Sequence, residues 1–279
     1  MRMIQRSTVV PVVLCAGVIL LSTSCAKLQS RDHMNRGVQA YRNNHYADAV
    51  KEFKQAVELD PENQNAQLYL ATSYMIQWVP GADTPDNKKN YDMARQEFEN
   101  ILKREPSQPL ALASMASMAY NSAQGGTTTE QKMAALEDAR KWNQRRIEAD
   151  PKDAEAYYYL GVIDYAEALG PISTARVEEK LPPNNPGPLP NAKVKEDLKS
   201  KYLKGIDDGI EQLKKSLALN KENEDAMSYL NLLLREKAAL ADSPEEAKAS
   251  SAQADEWMNK SLDMKRIKAS RPATKTQAT

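Results

Sequence analysis

The sequence predicts an all-α chain, a solenoid of about five helical hairpins with long insertions between the paired helices. Three observations predict it. The chain is rich in Ala, Leu, Glu, Lys and Gln and has only 10 glycines in 279 residues, a composition that favours helix over sheet. Pro61, Pro106 and Pro151 recur every 45 residues. Each closes a similar segment: "YADAVKEFKQAVELDP" and "YDMARQEFENILKREP" share Tyr, Ala, Phe and Pro, and "LEDARKWNQRRIEADP" shares the Ala and the Pro.

The first 24 residues read as a secretory signal. Arg2 and Arg6 precede the apolar run Thr8–Leu21, and small residues follow. That run is short for a spanning helix, which needs roughly 20 residues; an uncleaved anchor is the alternative. "LLSTSC" resembles a bacterial lipobox, with Ser22 standing where Leu is usual. The resemblance implies that Cys25 is lipidated and becomes the first mature residue. Cys15 would leave with the signal, so no internal disulfide can form. Ala26 in place of Asp implies outer-membrane sorting in a diderm source, with 25–29 as a linker.

Repeat one follows. From Tyr46 to Val57 the apolar and small residues fall at steps of three and four, one face of a helix. Gly37, Ala40 and Tyr41 lie on a short helix upstream, "NNH" (43–45) is a tight turn, and Pro61 stops the second helix. The spacing Gly37, Ala49, Phe53, Ala56, Pro61 resembles a tetratricopeptide repeat, normally about 34 residues long. In that family the small residue of the first helix faces the early Ala of the second, and the large aromatic fills the gap to the next hairpin.

Repeat two carries Leu70, Ala71 and Tyr74, then Tyr91, Ala94, Phe98 and Pro106; repeat three carries Met115, Ala116 and Ala119, then Leu136, Ala139 and Pro151. Their extra residues, "WVPGADTPDNKK" and "SAQGGTTTEQ", read as loop rather than longer helix. Repeat four opens with "AEAYYYLGVIDY" and closes with "GIEQLKKSLALN"; between them an insertion at 169–204 has the proline-rich middle "LPPNNPGPLP" and a basic helical arm, Lys193–Lys204. That arm, with Lys193, Lys195, Lys199, Lys201 and Lys204, is a candidate for anionic lipid head groups, weighed against an ordinary solvated helix. Repeat five runs from "DAMSYLNLLLRE" to "AQADEWMNKSLDM". The solenoid spans 30–267, and 268–279 reads as a disordered tail.

Catalytic patterns do not emerge. His33 and His45 lie too far apart for a helical metal pair, and "QGGTTT" lacks the lysine of a phosphate loop. His45 reads as a polar turn residue. The expectation is a non-enzyme with no cofactor and no metal. Lys and Arg balance Asp and Glu at 38 each, which gives no reason to expect general nucleic-acid binding.

The resemblance implies a concave groove lined by the first helix of each hairpin. Carried over by position, that groove comprises Met34, Val38 and Tyr41; Leu68, Thr72 and Met75; Ser117 and Tyr120; and Tyr158, Val162 and Tyr165. Tyr, Met and aliphatic groups suit an extended partner segment with apolar anchors. Met34 and Val38 stand where clamp-type members place Lys and Asn, so a carboxylate clamp is not expected. Three helical tyrosines in a row, 157–159, point about 100° apart and cannot all be core. The function expected is a membrane-anchored scaffold of the bacterial cell envelope that binds other proteins, in outer-membrane or pilus and secretion assembly. Self-association as a structural envelope protein is the alternative.

Overall fold

The computed structural model describes the backbone of residues 10–182 and 187–271, and side chains from Cys25 onward. The side chains of the expected signal, the centre of the proline-rich run and most of the expected tail lie outside the described residues. Among the described residues there are ten α-helices, arranged as five successive pairs. These are α1 (Val10–Arg42) with α2 (Tyr46–Leu59), α3 (Gln64–Gln77) with α4 (Pro85–Arg104), and α5 (Pro109–Gly125) with α6 (Thr129–Ala149). Then come α7 (Ala154–Glu178) with α8 (Ala192–Leu219) and α9 (Glu224–Ala239) with α10 (Pro244–Ser270). The fold class is an all-α solenoid of helical hairpins. The chain forms two compact units, the first ending at Met118 and the second beginning at Ala119, within α5.

One internal spacing builds every second helix. It places Ala49, Phe53 and Ala56 in α2; Ala94, Phe98 and Ile101 in α4; and Ala139, Asn143 and Arg146 in α6. In α8 it places Gly209, Leu213 and Ser216, and in α10 Ala254, Met258 and Ser261. All are buried except the half-buried Met258. The first position is always Ala or Gly and always buried; at Gly209 a Cβ would lie 2.8 Å from Asp164 Cβ of the facing helix. The last position carries a second device in three hairpins. Ser30 Oγ donates to Ala56 O at 2.8 Å, Ser216 Oγ to Ala154 O at 2.7 Å, and Ser261 Oγ to Glu224 O at 2.9 Å. The last two tie the start of the first helix to the end of the second, and Ser30, well inside α1, ties that helix to the end of α2.

The prolines mark turns as predicted. Asp60 caps α2 through its N–H to Ala56 O, Pro61 and Glu62 turn, and the Asn63 side chain caps α3 by accepting from Ala66 N–H at 3.1 Å. Asp150 to Asp153 and Asn220 to Asn223 repeat this arrangement, with Asp153 and Asn223 accepting from Ala156 and Ala226 N–H. Asn63→Ala is expected to cost about 1 kcal/mol of the first unit's stability, read as a lowered urea midpoint, while Asn63→Asp keeps it. The "NNH" turn holds Asn44 at φ 61, a left-handed conformation that Asn tolerates. His45 follows as the N-cap of α2 without a side-chain cap bond.

Gly37 makes room for an aromatic ring: a Cβ there would lie 2.5 Å from the Phe53 ring. The Phe53 ring in turn stacks on Tyr69 of α3 at 5.2 Å, filling the gap to the next hairpin. The upstream helix is not short: it is the last part of α1, which runs unbroken through Cys25.

The insertions correct the sequence reading most. The 45-residue period is largely made by longer helices: α4 has 20 residues and α6 has 21, against 14 in α2. The turn-type residues act as caps. Thr84 accepts from Asn87 N–H with Pro85 in the first turn of α4, and Thr128 forms a capping box with Gln131. The 169–204 insertion is likewise mostly helix, since α7 runs to Glu178 through Pro171 and α8 starts at Ala192, capped by Asn191. Within the proline-rich run, Leu189 is 1% exposed and its N–H donates to Ala239 O at 2.9 Å. This part is pinned to the core of the second unit. Three lysines of the basic arm are paired, Lys199 with Asp242, Lys201 with Asp197 and Lys204 with Asp208, and Lys195 donates to Ala241 O. This pairing favours the ordinary solvated helix over a lipid-facing one. At the other end α10 extends to Ser270, past the expected start of the tail, and Arg271 pairs with Glu222 at 2.7 and 2.8 Å.

Candidate functional site

In the first unit the predicted groove positions form two half-buried stripes. Met34, Val38 and Tyr41 lie along α1, and Leu68, Thr72 and Met75 along α3. Tyr41 joins them indirectly, its ring 5.8 Å from Tyr69 and 5.4 Å from Tyr46. Thr72 spends its hydroxyl on its own helix, donating to Leu68 O at 2.7 Å. Ser117, on α5, is exposed.

The second unit holds a concavity of about 530 Å³. Tyr120, Val162 and Tyr165, all predicted positions, line it together with Tyr202 and Tyr229. The extended α7 supplies Glu167, Leu169, Gly170 and Pro171, and the first turns of α6 supply Lys132 and Met133. Met133 and Leu169 remain 37% and 36% exposed, so the rim is apolar as well as the wall.

The tyrosines form a chain of ring contacts. Tyr165 meets Tyr229 at 5.6 Å, Tyr229 meets Tyr158 at 5.8 Å, Tyr158 meets Tyr159 at 5.2 Å, and Tyr159 meets Tyr120 at 5.5 Å. Tilted and edge-on pairs at these distances are the favoured aromatic geometries. Burial, then the neighbouring Tyr229 and Tyr159, pushes the Tyr120 hydroxyl up to about 12, and Tyr158 is raised further by burial first. These hydroxyls stay protonated as hydrogen-bonding groups. All three of Tyr157, Tyr158 and Tyr159 are half-buried. Tyr158 packs on the unit's core rather than on the cavity lining.

An ion triad lies beside the cavity. Arg140 Nη1 donates to Asp164 Oδ1 at 2.9 Å and Nη2 to Glu167 Oε2 at 2.8 Å. Asp164 is 4% exposed. Its carboxyl is raised to about 6, by burial first, with Arg140 pulling it down and Glu167 and Asp208 pushing it up. Among the described residues no group of His, Cys, Asp and Glu is arranged to hold a metal ion.

Residues 30–63 match the family model of the tetratricopeptide repeat. Among solved structures, a double mutant of MamA RS-1 aligns with a TM-score of 0.55 at 16% identity, covering 87% of this chain and 98% of that one. MamA from residue 41 to its end, from Desulfovibrio magneticus RS-1, aligns with a TM-score of 0.53 at 15% identity over the same shares. The fold is the tetratricopeptide-repeat fold. At these identities the likeness concerns the fold alone, and no curated protein matches the chain.

Tetratricopeptide positions explain what the sequence reading missed. Tyr69, Tyr159 and Tyr229 occupy one place in repeats two, four and five, the sixth residue of α3, α7 and α9. It lies one residue beyond the first groove position, so counting groove positions alone passed over Tyr229. Recurrence of Tyr at that place was a readable signal. Arg140, Asp164 and Glu167 left none, because helix-surface charges are ordinary until two helices bring them together.

Proposed function

We propose that this chain is a membrane-anchored scaffold of the bacterial cell envelope that docks a segment of a partner protein in the tyrosine-lined groove of its second unit. The repeat fold supports a general role in binding other proteins. The observation that carries the finer reading is the groove itself: half-buried tyrosines on its wall and Met133 and Leu169 left exposed on its rim. Exposed apolar groups favour binding when a partner removes them from water. The anchor rests on the signal-like start and on Cys25, which is exposed. Outer-membrane or pilus and secretion assembly is the pathway class this plan fits.

Crosslinking and pull-down from intact cells tests the groove. Met133→Ser/Leu169→Ser, on exposed positions, is expected to lose envelope partners that the wild type recovers. Partners retained in full by the folded variant would move docking off this groove. Cys25→Ser tests the anchor: the protein should leave the membrane fraction, and an unprocessed chain that stays membrane-bound would show an uncleaved anchor instead.

A further inference from the structure

The groove carries polar features that apolar anchoring leaves unused. Pro171 lies inside α7, and a proline has no N–H to give the carbonyl four residues back. That carbonyl belongs to Glu167, and both residues line the groove. The Glu167 carboxylate adds to it. Its Oε2 takes Arg140, while Oε1 has no partner among the described residues. Arg140 is shared with Asp164 at 2.9 Å and, more distantly, with Glu137 at 3.8 Å, so one guanidinium faces three carboxylates. With Asp164 and Glu167 ionised the triad keeps one negative charge in excess. Tyr165 and Tyr229 line the same space, and the faces of tyrosine rings attract cations.

We propose that the groove selects an arginine side chain of the partner segment, an inference that rests on reading this groove as the docking site. A guanidinium is flat, permanently charged and carries five N–H donors. It can lie on a tyrosine ring while donating to Glu167 Oε1 and to the Glu167 carbonyl oxygen, with Met133 and Leu169 covering its aliphatic stem. The one cation among the lining residues, Lys132, is exposed and makes no ion pair among the described residues; its long stem lets the ammonium stay in water. An acidic segment would meet the excess negative charge of the triad instead.

Fluorescence anisotropy on the purified full chain tests this with two labelled peptides, Gly-Leu-Arg-Leu-Gly and the same peptide with citrulline, the neutral isostere. The arginine peptide is expected to bind about tenfold tighter or more, and Glu167→Gln, with unchanged circular dichroism, to abolish the difference. Equal affinities, an arginine preference that survives Glu167→Gln, tighter binding of an Asp-containing peptide, or no saturable binding of the arginine peptide would each overturn the inference. Cellular partners lost by Met133→Ser/Leu169→Ser but kept by Glu167→Gln would leave the groove reading standing and remove the arginine alone. Partners kept by both variants would remove both.

Discussion

Gly161→Ala is expected to destabilise the second unit by about 3 kcal/mol, at the upper end for overpacking. A Cβ at Gly161 would lie 2.5 Å from Leu213 Cγ and 2.9 Å from Gly209 O. The first neighbour is a fully buried side chain, and the second is backbone of the facing helix, so neither can swing aside. Relief requires α7 and α8 to separate along their shared seam, which loosens the packing around Leu213, Leu230 and Leu233. Gly170→Ala is the control on the same helix. Beyond its chain neighbours nothing lies within 4 Å of a Cβ there; the usual gain from replacing an exposed helical glycine is offset by crowding against the Cδ of Pro171, which follows it in the helix, so the change should be close to neutral. Urea unfolding of both variants decides it. Equal midpoints would mean that the close helix contact is not a determinant of stability.

The second large effect is a pH dependence centred on Asp164. Its carboxyl titrates near 6 in the folded chain against a reference of 3.8. Between those values the folded state holds a proton that the unfolded state has lost. Stability therefore falls as pH rises through this window, by about 3 kcal/mol in full. Glu236, raised by burial against the pull of Arg176, acts in the same direction. Glu222, Glu224 and Asp242, lowered first by side-chain hydrogen bonds to Arg271, Lys268 and Lys199, act oppositely and lose their contribution as pH falls. The difference between wild type and Asp164→Asn isolates the one group. Unfolding free energies measured from pH 4 to pH 7 should show the wild type losing stability relative to the variant as pH rises. Parallel profiles would show that Asp164 ionises as easily in the folded chain as in the unfolded one.

The hairpins were legible in the sequence because their determinants are local. Ala and Gly where helices touch, Phe53 and Phe98 in the gaps, and Pro one residue past the caps Asp60, Glu105 and Asp150 are written at fixed spacing. Helix lengths were not, because Pro85, Thr128 and Asn191 look like loop residues until their place at a helix start is known. Repeat three shows a second limit. Asn143 and Arg146 stand where repeat one has Phe53 and Ala56, and both are buried. Arg146 is satisfied by Asp153 at 2.9 Å and Glu155 at 2.7 Å, partners a turn and a helix away. The groove was half legible. Tyr120, Val162 and Tyr165 were found by position, but the extended end of α7 and Tyr202 of α8 enter it only because the insertion folds as helix.

Ser30 has a mechanical consequence. It is fully buried and tied to the end of α2, so the folded body begins five residues after the start of the proposed mature chain at Cys25. Five residues reach at most about 17 Å when extended and about 8 Å as helix. A lipid on Cys25 would therefore act as a rivet rather than a leash. The first hairpin would ride against the bilayer surface, with too little clearance beneath it for another folded domain. Partners would have to come from the side or from above.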